Sequence, residues 1–134
     1  MKLLLDTNIF LEIILDQERV DESKELLLRS GVHDFYLSDY SLHSIGLLLF
    51  RRNQHQIFQE FVQDAILNGG VGILSLGSQE IHEVVLAAKK FNLDFDDAYQ
   101  YALAVTSKLT LVSFDKDFNR TDLLSKTPSE VNNS

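Results

Sequence analysis

Five aspartates, Asp6, Asp96, Asp97, Asp115 and Asp117, fall in three separate stretches of this chain, and each stretch adjoins an apolar run. Carboxylate oxygens are the ligands that hard divalent cations prefer, and Mg²⁺ holds them at roughly 2.0–2.1 Å. Several carboxylates brought so close repel one another strongly unless a cation sits between them. Oxygen ligands do not by themselves choose between Mg²⁺ and Mn²⁺. The acids qualify for this chemistry only if the fold gathers them.

The elements between them decide that. Lys2 to Asp6 is a short apolar run ending in an acid, the pattern of a buried strand. A helix is expected from Asn8 to Leu15, with Asp6 or Thr7 near its start, and another from about Asp21 to Ser30. Phe35 to Leu37 reads as a second strand, and Ser41–Arg52 and Gln54–Leu67 read as helices. In the latter, Ile57, Phe58, Phe61, Val62, Ala65 and Ile66 share one stripe. Gly69-Gly70 ends it, and Val71 to Leu74 is a third strand. Ser78 begins a helix with Ile81, Val84, Val85, Ala88 and Phe91 on one face. Asp94 is the expected N-cap of the next, which turns Ala98, Tyr101, Ala102 and Val105 inward. Leu109 to Ser113 is the fourth strand, running into the turn FDKDF.

Helices alternating with short apolar strands imply an α/β fold with a parallel sheet covered on both faces. In such sheets ligands bind at the carboxyl ends of the strands. Asp6 ends the first strand, Asp115 and Asp117 follow the fourth, and Asp96 and Asp97 open the helix just before it. The three stretches can therefore meet along one rim.

Each acid also has a plainer use. Asp6 suits a helix cap, acids in the first turn of a helix answer its dipole, and a D-K-D triplet is commonly a solvated turn. Their joint placement is what points to a metal site.

Composition narrows the rest. The 134 residues are the size of one domain, expected here over residues 1–131, with a frayed polar tail at 132–134. Cysteine is absent, which excludes disulfides and thiolate sites and suits a reducing cytoplasm. Asp6 interrupts the opening apolar stretch, no small-residue cleavage site follows, and no run is long enough to span a membrane. A net charge of −8 opposes broad nucleic-acid binding, although bound cations would supply local positive charge for phosphates. Arg51-Arg52 and Lys89-Lys90 are the local basic pairs, and helix ends use such charges to complement the dipole.

The segments LLLDTNIFLE, LDFDDAYQYALA and LTLVSFDKDF, in this order and spacing, closely resemble the PIN domain family, including the VapC-type toxins of toxin–antitoxin pairs. The closing TPSEV resembles the family's last segment, so the resemblance covers nearly the whole chain. It implies a PIN-like three-layer fold, a short central parallel sheet flanked by helices. It implies catalytic and metal-holding roles for Asp6, Asp97 and Asp115, a further metal-holding role for Asp117, and supporting roles for Asn8 and Ser113. Asp96, beside Asp97, competes for the same role. The implied activity is RNA phosphodiester hydrolysis with Mg²⁺ or Mn²⁺, one ion held by Asp6, Asp97 and Asp115 and Asp117 acting through water or at a second ion. The implied partners are an RNA substrate, an antitoxin protein and a second copy in a homodimer.

One position departs from the pattern. The family usually carries a glutamate on the helix after the second strand, and aligning Ser38 with its serine puts Ser44 there. A neutral hydroxyl removes one negative charge and one strong ligand. Asp39 and His43 are the nearby substitutes, and neither is expected to serve. The alternative to an active nuclease is a catalytically degenerate PIN-like module that binds RNA or protein. A phosphoryl-transfer domain is the remaining rival, but Asp6-Thr7-Asn8 is not the D-x-D that related phosphatases use, and no lysine stands convincingly at a late strand end.

Overall fold

A computed structural model describes all of residues 1–134. Four strands, β1 (Lys2–Leu5), β2 (Asp34–Ser38), β3 (Gly72–Leu74) and β4 (Thr110–Val112), form one parallel sheet in the order β3-β2-β1-β4. Leu4 pairs with Tyr36 on one side and with Leu111 on the other. The helices are α1 (Thr7–Ile14), α2 (Val20–Leu27), α3 (Asp39–Arg51), α4 (His55–Phe61), α5 (Ile81–Phe91), α6 (Phe95–Thr106) and α7 (Pro128–Asn132).

The strand pleat sorts the core into two layers, because alternate side chains point to opposite faces. Leu3, Leu5, Phe35, Leu37 and Val112 pack with residues of α1, α2, α3, α4 and α7. Leu4 and Leu111 pack on the other face with Val84 and Ala87 of α5 and with α6. The result is the expected α/β three-layer arrangement. None of its helices is long and apolar enough to cross a membrane.

The β1–β2–β3 connections step outward in one direction, and β4 lies on the opposite side of β1. The topological switch therefore falls between β1 and β4, where open parallel sheets offer a crevice at their carboxyl ends. Asp6 follows β1 at that crevice and Ser113 follows β4.

Several details differ from the sequence expectation. The helix expected over Gln54–Leu67 is α only to Phe61 and then widens to a π-helical segment, Val62–Leu67, where Asn68 N–H reaches back five residues to the Gln63 carbonyl at 2.9 Å. Gly69 closes it under compulsion: a Cβ there would lie 2.6 Å from the carbonyl oxygens of Asp64 and Ala65. Val85 and Ile81 of α5 are exposed rather than inward, as is Val105 of α6, while Tyr99, Leu103 and Ala104 are buried. Asn132 is not part of a frayed tail. It closes α7, is buried, and donates from Nδ2 to the Glu22 carbonyl at 3.3 Å. Leu26 of α2 and Leu49 of α3 are core, whereas Leu28 and, on α3, Leu47 and Phe50 are exposed.

Candidate metal centre

Asp6 is placed by the end of β1 and the start of α1. Its backbone is extended (φ −66°, ψ 159°), it is the N-cap of α1, and its Oδ1 accepts from Thr7 N–H at 2.8 Å. The capping role does not exhaust the carboxylate. Oδ1 also accepts from Gln100 Nε2 at 2.9 Å, and Oδ2 accepts from the Ser113 hydroxyl at 2.7 Å. The group is only 8% exposed. Burial, followed by the charge of Asp115, pushes its pKa up, and the three donors act against this.

Asp115 and Asp117 belong to the turn after β4. Asp115 caps a short 3₁₀ turn, Lys116–Arg120: its N–H donates to Ser113 Oγ at 2.9 Å and its Oδ1 accepts from Asp117 N–H at 2.8 Å. Phe118, fully buried among α6-face residues, pins the turn from below. Asn8, in the first turn of α1, braces it from the side, accepting from Phe114 N–H at 3.3 Å and donating to Ser113 Oγ at 3.3 Å.

Asp97 comes from the first turn of α6. Asp94 occupies the N-cap as expected, but its side chain makes no capping bond. Asp97, Asp115 and Asp117 each offer a carboxylate oxygen, and these atoms all lie within 4.8 Å of one another. Asp6 lies outside that set of three, although it shares with Asp97 and Asp115 a polar pocket of about 210 Å³. Asp96 and Ser44 also line the pocket. The crowding has an electrostatic signature. Burial, then the charges of Asp115, Asp96, Asp6 and Asp117, raises the Asp97 pKa to about 7.

The substitutes for the α3 acid do not enter the pocket. Asp39 Oδ1 is taken by the Tyr99 hydroxyl at 2.7 Å and by Tyr40 N–H at 2.8 Å, and His43 is exposed. Tyr40 itself lines the pocket. Its phenol pKa is raised by burial first and by the Asp96 charge second, with the Ser44 hydroxyl working in the other direction.

Gln100 escaped the sequence analysis. A glutamine on an amphipathic helix carries no signal of its own, and only its register three residues after Asp97 hints that it shares that residue's side of α6. It is 1% exposed, and Nε2 also lies 2.9 Å from Ser41 Oγ. Ser41 Oγ is in turn 2.8 Å from Thr7 Oγ1 and 3.1 Å from Ser38 Oγ. A cluster of hydroxyls, with Ser38 and Ser41 fully buried, thus stands behind Gln100 and Thr7.

The fold is shared with solved toxin–antitoxin proteins. VapBC2 from Rickettsia felis, bound to a DNA fragment from its promoter, superposes with a TM-score of 0.76 at 16% identity, covering 95% of this chain and 98% of that one. VapC20 from Mycobacterium tuberculosis, a toxin that cleaves the sarcin–ricin loop, gives 0.75 at 17%, with coverages of 91% and 96%. VapBC-1 from nontypeable Haemophilus influenzae gives 0.74 at 17%, with coverages of 96% and 99%. At these identities the likeness is one of fold. A search of curated proteins by sequence gave no match. Residues 3–124 do match the PIN domain, a span that contains Asp6, Asp97, Asp115 and Asp117. Matched over most of its length, the chain belongs to the PIN domain family.

Proposed function

We propose that this protein is a divalent-metal-dependent ribonuclease that hydrolyses RNA phosphodiester bonds, and that it is the toxin of a toxin–antitoxin pair. The observation that carries the reading is the meeting of Asp97, Asp115 and Asp117 within 4.8 Å, beside Asp6, at the carboxyl edge of the sheet. The donor set fits a hard cation: three convergent carboxylates, with a buried carbonyl oxygen of Gln100 that has no partner nearby. Mg²⁺ or Mn²⁺, when bound, would stabilise charge on the phosphate oxygens and lower the pKa of an attacking water.

The residues divide the remaining work. Asp97, Asp115 and Asp117 would hold the cation. Asp6, fastened by three donors, presents a fixed negative charge to the same pocket. Ser113 ties Asp6 to the Asp115 backbone, so the β1 and β4 ends move as one unit. In the cation-free site the Asp97 pKa is about 7, so taking up the cation would displace its proton. The protein's own negative charge leaves the cation as the main point of attraction for an RNA phosphate.

The likeness to VapBC complexes supports an antitoxin partner. An arginine of such a partner suits the acidic rim. A second, apolar pocket of about 460 Å³, lined by Phe10, Ile14, Leu27 and Phe61 together with Glu60 and Asp64, suits apolar side chains flanked by basic ones. A homodimer joined through exposed Leu47 and Phe50 of α3 completes the reading, and sedimentation of the purified protein tests it.

One observation favours the degenerate module instead. Ser44 lines the pocket at the position where the resemblance puts a glutamate, so the α3 side contributes no charge. Ser44→Glu separates the two readings. If the native protein already cuts RNA with Mn²⁺ and chelator stops it, the ribonuclease stands. If only Ser44→Glu cuts, the native chain is the degenerate module.

A further inference from the structure

Gln100 is one of the least exposed side chains of α6, yet it lines the acidic pocket. Its amide nitrogen spends both hydrogens, one on Asp6 Oδ1 and one on Ser41 Oγ, each at 2.9 Å. The Asp6 contact sets the amide's orientation, since a flipped amide would press Oε1 against a carboxylate oxygen. Oε1 is then left buried with no partner. Buried carbonyls without partners are rare and costly. Of the other buried α6 positions, Ala98, Ala102, Leu103 and Ala104 are apolar and Asp97 and Tyr99 are polar, and an apolar side chain at 100 would fill the space without that cost. Packing therefore does not account for the amide. Nor does Asp6 require it for simple satisfaction, because Thr7 N–H and the Ser113 hydroxyl already engage both of its oxygens.

We propose that Gln100 is a positioning residue of the cation site: Nε2 aims the Asp6 carboxylate, which shares the pocket with the acids that would take a divalent cation. This rests on the cation-binding reading above. It makes the uncharged lining of the pocket, Thr7, Ser44 and Gln100, a set of hydrogen-bonding groups that complements the acids. Asp6, Asp96, Asp97 and Asp115 supply the charge.

The test is Mn²⁺ binding followed by electron paramagnetic resonance, with water-proton relaxation of the bound ion as a second signal. Gln100→Met keeps the length and removes the amide. Ser41→Ala removes the amide's other acceptor and leaves the Asp6 contact in place. The expected result is Mn²⁺ binding weakened about tenfold or more in Gln100→Met, altered proton relaxation of its bound ion, and a change below about threefold in Ser41→Ala. Should Gln100→Met fail to fold, Gln100→Asn, which withdraws the same amide by one methylene, carries the same expectation. Wild-type affinity and relaxation in the position-100 variant would overturn the proposal, as would an equal loss in Ser41→Ala. Wild-type protein that binds no Mn²⁺ would overturn the cation reading itself and this inference with it, a result distinct from the other two.

Discussion

The Ser113 hydroxyl donates to Asp6 Oδ2 at 2.7 Å, joining the ends of two neighbouring parallel strands that are 107 residues apart in sequence. The same oxygen accepts from Asp115 N–H at 2.9 Å. One buried hydroxyl therefore sets the distance between the acid of β1 and the acidic turn after β4.

Ser113→Ala should uncouple them. Ser113 is 3% exposed, so the alanine leaves Asp6 Oδ2 and Asp115 N–H short of a partner inside the protein. The expected cost is about 1–3 kcal/mol of stability, with Mn²⁺ affinity reduced about tenfold. Urea unfolding and Mn²⁺ titration measure the two effects separately.

Asp97 and Asp96 are adjacent but differently placed. Only Asp97 belongs to the set of three acids within 4.8 Å, while Asp96 merely lines the pocket. Asp97→Asn should weaken Mn²⁺ binding by more than about tenfold, and Asp96→Asn by less than about threefold. Equal affinities in the two variants would show that the assignment is wrong.

The raised pKa of Asp97 makes a signed prediction about pH. In the cation-free protein the folded state binds a proton at Asp97 up to about pH 7, whereas the unfolded chain releases it near the ordinary aspartate value of 3.8. Between these values the folded state holds more protons, so stability from this group is full below about pH 4 and is lost as pH rises to about 7. Asp97→Asn should flatten that slope in thermal melts taken across the window. Saturating Mn²⁺ should reverse it, because the ion requires the deprotonated carboxylate. Calorimetric titration of Mn²⁺ near pH 6 should release close to one proton, seen as a dependence of the heat on buffer ionisation enthalpy.

Phe118 supports the site from beneath. Its ring is fully buried and lies one residue past Asp117. Phe118→Ala should cost about 3–5 kcal/mol. It should also weaken Mn²⁺ binding, while an equally buried site on the opposite core layer, Leu26→Ala, should destabilise without that loss once folded protein is compared with folded protein.

What could be read from the sequence follows from how local each signal is. The apolar run Leu3–Leu5 and its terminal Asp6 state both a strand and the rim it reaches, because a fully buried parallel strand has no polar alternation to obscure its end. Leu109–Ser113 before Asp115 works the same way, and the structure trims it only to Thr110–Val112. The inward face of α6 was less legible. That helix is buried on several sides, so Tyr99, Gln100 and Leu103 are covered together with Ala98 and Ala102, and a single apolar stripe misassigns Val105. The π-helical widening at Val62 depends on how the chain closes over Gly69, which periodicity does not encode. The grouping of Asp117 with Asp97 and Asp115 depends on the Asp115 cap that folds the D-K-D segment back on itself. Gln100 stayed hidden because a contact to Asp6 across 94 residues is a property of the fold alone.

The most direct test of the central claim is cleavage of a labelled single-stranded RNA by the purified protein in Mg²⁺ or Mn²⁺, with and without chelator, beside Asp6→Asn prepared identically. Cutting should require the metal and be lost in the variant. Absence of cutting with either metal across several RNAs, or cutting that survives both chelator and Asp6→Asn, would rule out a metal-dependent ribonuclease built on these acids.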